Sequence, residues 1–241
     1  MKIRAAIFDI YRTLLEVGPR PDDAEQLWTK LCIQMLPDGA EEMTLLELGR
    51  RCQVIVDREQ AAAGELGIPF PEVFWPDVIT EIFPTLAELP SAQREEFIFE
   101  QVQLWHTSRL APGAAAVLKR LVRAKISLGL VSNCQHYTLR ELDGALASAK
   151  LRRKIFEPSL CFLSFEHGFS KPDPHVFRLL TARLAAHEIT PAETLIVGDD
   201  EFNDISPAQE QGFQTWHLSQ ETSGNTSGGW RELGERIRNF Q

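Results

Sequence analysis

Short apolar runs that stop abruptly at a polar or small residue constrain the fold of this chain more than any other feature. The three strongest are residues 3–8, 126–131 and 194–197, which are followed by Asp9, by Ser132 and by Gly198 with Asp199. Weaker runs of the same kind cover residues 160–163 and 213–218. Because these runs do not alternate with polar residues, they favour strands that are buried on both faces, as in a parallel sheet.

Helical patterns lie between the predicted strands. Apolar residues recur at helical spacing after Pro112 and again after Pro174, and a proline suits the first turn of a helix. The apolar positions are Val117, Leu118, Leu121 and Val122 in the first segment and Val176, Phe177, Leu180 and Leu184 in the second. Strands that alternate with helices indicate an α/β fold with a Rossmann-like, doubly wound parallel sheet.

Residues 19–107 differ from the rest of the chain. They are rich in Leu, Glu, Gln and Ala, and Leu27, Leu31 and Met35 share one helical face. We therefore predict an α/β core formed by residues 1–18 and 108–241, with a helical cap domain inserted at residues 19–107. Near the C-terminus, the polar, glycine-rich residues 219–229 predict a mobile loop before a last amphipathic helix that starts near Trp230.

The chain is acidic, with a formal net charge of -9 and a pI of about 5.2. We expect no nucleic-acid or membrane partner, because an acidic protein is repelled by phosphate backbones and anionic lipids. The four cysteines have no CxxC spacing, and the N-terminal apolar run is too short for a signal peptide. These features predict a cytoplasmic protein with reduced thiols. We expect its partner to be a small anionic substrate, and the sequence leaves open whether the protein is a monomer or a homodimer.

Residues with useful chemistry stand at the ends of the predicted strands. Asp9, Ser132 and Asp199 each follow or end an apolar run, and the carboxyl ends of parallel strands meet at one edge of a sheet, where ligands bind. Lys171 lies in a loop that precedes a predicted helix. A carboxylate nucleophile, a hydroxyl, a cation and a second carboxylate together suit displacement at an electrophile that carries negative charge.

Four motifs carry a resemblance to a known family. They are FDIYRTL at residues 8–14, VSN at 131–133, KPDP at 171–174 and VGDDEFND at 197–204. In this order and spacing, the chain resembles the haloacid dehalogenase superfamily, many members of which insert a helical cap where residues 19–107 stand. The resemblance implies a hydrolase that forms a covalent intermediate on Asp9.

The resemblance also implies roles for individual residues. The implied catalytic residues are Asp9, Tyr11, Ser132 and Lys171, and the implied substrate-binding residues are Arg12, Thr13, Ser132, Asn133 and Lys171. Asp9 would attack the substrate, Ser132 would hydrogen-bond the transferred group, and Lys171 would neutralise its charge. Arg12 replaces a residue that is small or Asx in the family, and both anion binding and exposure to solvent stay open for it.

A magnesium ion is the cofactor that the resemblance implies. Its ligands would be Asp9, the backbone carbonyl of Tyr11, and Asp199, with Asp204 supporting the site and Asp200 a weaker candidate. Magnesium favours a few carboxylate oxygens together with water, and it screens two anions as they meet.

Tyr11 is the most informative departure from the family pattern. Phosphatases of the superfamily have a second Asp here, a general acid and base whose loss typically costs about 10²–10⁴ in rate. Haloacid dehalogenases have Tyr at this position. They need no general acid there, because a halide leaves without a proton. They work without a metal, however, and have Ser or Asn where this chain has Gly198, Asp199 and Asp200.

Three hypotheses follow from this mixed pattern. The first is a magnesium-dependent phosphatase that acts on a small phosphorylated metabolite. The second is a metal-independent 2-haloacid dehalogenase, which Tyr11 favours and which Asp199 and Asp204 oppose. The third is a weakly active or inactive family member that binds a phosphorylated ligand or a protein, which the changes at Tyr11 and Arg12 support.

Overall fold

The computed structural model describes residues 3–36, 43–219 and 226–237. The chain divides into two compact units, one formed by Met1–Glu16 with Arg109–Gln241 and the other by Val17–Ser108. Within the described residues, no helix combines the length and the apolar character that crossing a bilayer requires.

The first unit contains a six-stranded, fully parallel sheet in the order β5-β4-β1-β6-β7-β8. β2 and β3 form a separate two-stranded sheet. The strands are β1 (Ala5–Phe8), β2 (Leu15–Gly18), β3 (Thr107–Leu110), β4 (Ser127–Ser132), β5 (Phe156–Leu163), β6 (Thr194–Gly198), β7 (Gln214–Leu218) and β8 (Ser227–Gly228). The predicted α/β fold is confirmed, and each of the five predicted apolar runs overlaps a strand of this sheet.

One expectation about the C-terminal part was wrong. The predicted loop at residues 219–229 contains β8, which extends the sheet by pairing with β7. The Trp216 indole N–H also donates to the carbonyl of Gly228 at 3.1 Å, which ties this polar segment to the buried end of β7. Residues 220–225 of the predicted loop lie outside the described part of the chain.

Helices cover both faces of the sheet in the first unit and build the second unit. They are α1 (Ala24–Met35), α2 (Leu45–Glu65), α3 (Trp75–Ile82) and α4 (Ser91–Val102) in the helical unit, and α5 (Ala114–Arg123), α6 (His136–Ser148), α7 (Ser164–His167), α8 (Pro174–Ala186), α9 (Ser206–Glu210) and α10 (Trp230–Ile237) in the sheet unit. The inserted region is therefore helical, as the fold class predicted.

The central strand β1 explains why its sequence has no polar alternation. Ala6 and Phe8 pack into one core with α5, α6 and α10, whereas Ala5 and Ile7 pack into a second core with α8 and α9. All four side chains are completely buried. A strand covered on both faces needs apolar residues at every position, which leaves its polar chemistry to the residue that follows it.

The helical unit has its own aromatic core. Trp28 packs against Phe83 and Phe97 with ring centroids about 6 Å apart, and its indole N–H donates to the carbonyl of Met43 at 2.6 Å. The Thr44 side chain caps the start of α2 by accepting a hydrogen bond from the backbone N–H of Glu47. These contacts assign Trp28 to the core of this unit.

Candidate active site

Two neighbouring strands, β1 and β6, bring carboxylates together at one edge of the sheet. Asp9 directly follows β1, and its backbone N–H donates to the carbonyl of Val197 in β6 at 3.0 Å. Asp199 directly follows β6, and Asp204 lies five residues further along. Carboxylate oxygens of Asp9, Asp199 and Asp204 lie within 4.8 Å of one another. The strand ends therefore converge on one acidic cluster.

Lys171 is the cation of this cluster. Its ammonium donates to Asp9 Oδ1 at 2.7 Å, to Asp204 Oδ1 at 2.5 Å and to the carbonyl of Val131 at 3.0 Å. Burial disfavours the charged lysine, but the two carboxylates outweigh it and raise the pKa of Lys171. Lys171 is only 4% exposed, so its positive charge is buried beside the two carboxylates that it pairs with.

Asn133 fixes the loop that carries Lys171. Its side-chain amide donates to the carbonyl of Lys171 at 2.9 Å, and its side-chain oxygen accepts from the backbone N–H of Lys171 at 2.7 Å. Both polar atoms of the Asn133 side chain are thus engaged with this backbone. Asn133 was predicted to bind substrate, and the structure gives it a contact that positions the lysine.

The Ser132 hydroxyl is buried without a partner. Within the described residues, three buried side-chain polar atoms lack a hydrogen bond, and the Ser132 Oγ is the one that lies in the same unit as Asp9. Leaving a buried hydroxyl unsatisfied costs free energy, so such groups in native proteins call for an explanation. A ligand atom that hydrogen-bonds Ser132 would supply one.

Asp199 carries charge that its neighbours do not neutralise. Its Oδ1 accepts a hydrogen bond from the Thr13 hydroxyl at 3.3 Å. Burial and the nearby Asp9 carboxylate raise the pKa of Asp199, and the Thr13 hydrogen bond and the charge of Arg12 offset only part of this. Thr13 itself is fully buried, so its hydroxyl supports Asp199 from within the fold.

The π-helical turn Glu201–Ile205 separates the roles of Asp200 and Asp204. The Asp200 carboxylate accepts from the backbone N–H groups of Phe202 and Asn203 at 2.8 and 3.0 Å, and so caps the turn. Burial opposes its charge, but these donors lower the pKa of Asp200. The turn directs Asp204 towards Lys171 instead.

Gly198 provides the space for Asp204. A Cβ atom on Gly198 would lie 2.3–2.5 Å from the side chain of Asp204, a separation that atoms do not tolerate. Glycine is therefore required at the end of β6 if Asp204 is to reach the cluster.

Tyr11 is hydrogen-bonded to α6. Its hydroxyl donates to the Glu141 carboxylate and lies 3.1 Å from the Thr138 Oγ1. Glu141 is 6% exposed, and Thr138 is fully buried. Burial and the adjacent Glu141 charge raise the pKa of Tyr11, so the hydroxyl keeps its proton. The Tyr11 hydroxyl therefore donates to a carboxylate of α6, and residue 11 contributes no carboxylate of its own to the site.

Arg12 is exposed and adopts a left-handed backbone conformation, with φ of 56°. This conformation is uncommon for a residue other than glycine and marks a tight turn immediately after Tyr11. The structure leaves the guanidinium in solvent while keeping its charge near Asp199.

Comparisons with known proteins place this geometry in a family. No curated protein sequence matches the chain. Residues 3–212 match the family model described as haloacid dehalogenase-like hydrolase. The chain belongs to this family. The predicted resemblance is confirmed, and the hydrolase matches the family over all four of the motifs that suggested it.

Solved structures that resemble this haloacid dehalogenase-like hydrolase include different activities. A 2-haloacid dehalogenase from Pseudomonas syringae has a TM-score of 0.62 and 16% identity, with 99% of this chain and 100% of that chain covered. A HAD phosphatase from Thermococcus onnurineus has a TM-score of 0.55 and 19% identity, with 98% of each chain covered. At these identities the likeness shows the shared fold alone.

A third structure holds a metal. It is described as a HAD hydrolase from Bacillus subtilis bound to magnesium, and it has a TM-score of 0.54 and 20% identity, with 98% of this chain and 99% of that chain covered. The structures that resemble this hydrolase therefore include a magnesium-bound protein as well as dehalogenases and phosphatases.

Two residues of the hydrolase that contact the site region escaped the sequence analysis. Glu141 receives the Tyr11 hydroxyl, and the His217 Nε2 lies 2.9 Å from the backbone carbonyl of Asp199. Neither residue belongs to one of the four motifs, and a glutamate on an amphipathic helix has no distinguishing pattern. Only its burial in the folded chain sets Glu141 apart.

Proposed function

We propose that this hydrolase is a magnesium-dependent phosphatase that acts on a small phosphorylated metabolite through an aspartyl-phosphate on Asp9. The charge of the site carries this proposal. Asp9, Asp199 and Asp204 lie together, and Lys171 pairs with Asp9 and Asp204. The positive charge near Asp199 is that of the exposed Arg12, so within the described residues the negative charges of the cluster exceed the positive charge buried with them. A divalent cation would neutralise them.

The donor set fits magnesium. Three clustered carboxylates offer hard oxygen ligands, which Mg²⁺ prefers to nitrogen or sulfur. Asp9, Asp199 and the backbone carbonyl of Tyr11 would hold the ion, with Asp204 supporting the site through Lys171. When bound, the ion would supply a positive charge that lets an anionic substrate approach Asp9.

The residues of the chain then divide the work. A carboxylate oxygen of Asp9 attacks phosphorus, and the bond from phosphorus to the leaving oxygen breaks. The Ser132 hydroxyl and the Lys171 ammonium bind the oxygens of the transferred phosphoryl group. Water then attacks phosphorus, and the bond between phosphorus and the Asp9 oxygen breaks. This step regenerates the Asp9 carboxylate and releases dihydrogen phosphate, which carries both protons of that water.

The position of Tyr11 points to substrates with good leaving groups. No carboxylate stands at residue 11 to protonate a departing alkoxide, and the Tyr11 hydroxyl already donates to Glu141. Acyl phosphates and aryl phosphates depart as stabilised anions that need little protonation. We therefore propose these as the preferred class of substrate.

A metal-independent 2-haloacid dehalogenase is the second candidate, and Tyr11 is the observation that favours it. A halide also leaves without a proton. The carboxylate of a haloacid would, however, meet the Asp9 and Asp199 carboxylates, and Lys171 pairs with Asp9 and not with Asp199 among the ion pairs of the described residues. Repulsion between like charges opposes binding of a haloacid at this site. We therefore rank dehalogenation below phosphoryl transfer.

Magnesium should stabilise the folded protein measurably. At about ten times its dissociation constant, a ligand that binds only the folded state adds about 1.4 kcal/mol, or about 3 °C or more in Tm for a chain of this size. The matched variants Asp199→Asn and Asp200→Asn remove the same charge at adjacent positions. We expect differential scanning calorimetry to show the magnesium response in the native protein and in Asp200→Asn, and its loss in Asp199→Asn.

The same protein samples separate the candidate functions. Phosphate release from acyl and aryl phosphates with magnesium would support the proposal, and halide release from 2-haloacids in the presence of a chelator would replace it by the second candidate. If magnesium leaves the Tm of the native protein unchanged, the proposed metal site is wrong. Magnesium binding without turnover on either substrate class would identify a binding protein.

Replacing Tyr11 by aspartate should restore a general acid. We expect Tyr11→Asp to raise turnover of alkyl phosphates by about tenfold or more, which is a modest part of the acid–base effect, and to change aryl phosphates much less. The substitution also removes the hydrogen bond that the buried Glu141 accepts from the Tyr11 hydroxyl. The double variant Tyr11→Asp/Glu141→Gln removes the Glu141 charge beside the new carboxylate and should show the larger gain.

Steady-state kinetics on a matched pair of alkyl and aryl phosphates measure this prediction. Tyr11→Phe keeps the ring and removes the hydroxyl, so it controls for loss of the contact with α6. A fall in activity on both esters in both aspartate variants, with the fold preserved, would contradict the missing-acid explanation and give the Tyr11 side chain a positive role.

A further inference from the structure

A second concave site lies in the sheet unit, at residues that the proposed chemistry does not use. A cavity of about 420 Å³ opens beside β5, an edge strand of the six-stranded sheet. Its lining combines apolar side chains with two cations and one carboxylate. This volume falls within the range of small-molecule sites in proteins.

The deep part of this cavity is apolar. Leu130, Phe156 and Leu163 are buried core residues that contribute to its lining, and the partly buried Leu139 of α6 adds a further aliphatic side. An aliphatic or aromatic group that entered would exchange water for these side chains. Burial of apolar area is the main source of affinity in such a site.

Two cations, Arg153 and Lys154, line the cavity of a protein that is acidic overall. Lys150, Arg152, Arg153 and Lys154 occupy four of five consecutive positions, although the whole chain has a net charge of -9. Arg153 pairs with Asp143 at 3.2 Å, whereas, within the described residues, Lys154 is exposed and has no carboxylate partner. Glu166 is the one carboxylate in the lining, against the two cations.

We propose that this cavity binds a small organic anion with an aliphatic or aromatic body. The body would occupy the apolar floor between β5 and α6, and the anionic group would meet Lys154 and Arg153. Two independent observations converge here, the apolar concavity and the basic cluster beside it. Neither belongs to the carboxylate cluster around Asp9, so this site is independent of the proposed phosphatase activity.

Cys161 provides a reporter inside the cavity. It lines the pocket and is the only one of the four cysteines that is not buried. Burial nonetheless raises the pKa of its thiol to about 11, so alkylation is slow enough to follow. The experiment uses the whole chain of 241 residues and measures alkylation of Cys161 by N-ethylmaleimide. The modified residue is located by peptide mass, and octanoate or its neutral analogue octanamide is added in increasing amounts.

We expect octanoate to protect Cys161 saturably. Octanamide should bind at least about fivefold more weakly than octanoate. Lys154→Glu should raise the apparent Kd of octanoate about fivefold, the scale of a solvent-exposed charge contact. Arg178→Glu makes the same charge change at an exposed residue of α8, against the other face of the sheet, and should leave the Kd unchanged. The absence of octanoate protection, equal protection by octanamide, or equal effects of the two variants would each overturn the proposal.

Discussion

Asp9→Asn should abolish turnover, with a loss on the order of 10⁴ or more, the scale seen when a nucleophilic side chain is removed from a hydrolase. The amide is nearly isosteric with the carboxylate but cannot form the acyl phosphate. Its oxygen can still accept the hydrogen bond that Asp9 receives from Lys171 at 2.7 Å, so the fold should persist. Single-turnover assays and intact-protein mass spectrometry after acid quench measure the loss and the missing covalent intermediate.

A matched control and a ligand test accompany this variant. Asp173→Asn changes a buried carboxylate that caps α8, accepting from the backbone N–H of His175, and asparagine serves well in that role. It should stay within a few-fold of native turnover. Beryllofluoride with magnesium should raise the Tm of the native protein and not that of Asp9→Asn. Retention of activity within a few-fold in Asp9→Asn would remove Asp9 as the nucleophile.

Lys171→Met should destabilise the protein by about 3–5 kcal/mol, the cost of removing one partner from a buried ion pair. The substitution leaves Asp9 and Asp204 without their shared cation and the carbonyl of Val131 without its donor. Methionine approximates the length of the lysine stem, so the loss reports the charge and not a cavity. Chemical denaturation in the presence of a chelator measures the change without interference from metal binding.

Two further variants separate charge from packing. Lys154→Met removes an exposed lysine from the same unit and should change stability by less than about 0.5 kcal/mol. Adding Asp204→Asn to Lys171→Met removes one of the two stranded carboxylates and should recover more than about 1 kcal/mol, a coupling expected of residues in direct contact. If Lys171→Met lost less than about 1 kcal/mol, the ion pairs would not be the interactions that hold this site together.

The sequence predicted the sheet because its physical cause is local. A strand covered on both faces has to be apolar throughout, and the residue that ends it is free to be polar. This pattern alone places Asp9, Ser132 and Asp199 at one edge of the sheet. The four motifs that indicated the family are equally local patterns. They did not reveal β2 and β3, which are short and lack a continuous apolar run.

The contacts inside the site could not be predicted in this way. Lys171 and Asp9 are 162 positions apart, and Tyr11 and Glu141 are 130 apart, so nothing in their neighbouring residues specifies the pairing. The choice between Asp200 and Asp204 depended on a π-helical turn, which the sequence pattern does not predict.

The sequence by itself therefore determined the α/β fold and the family, and it supplied the candidate residues of the site. Tertiary structure decided which of them meet. It gave Lys171 two carboxylate partners, turned Asn133 to the backbone of Lys171, and joined Tyr11 to α6. The physical reason is that strands and helices form from short-range patterns, whereas the geometry of a site depends on loops whose shape is fixed only when distant segments pack together.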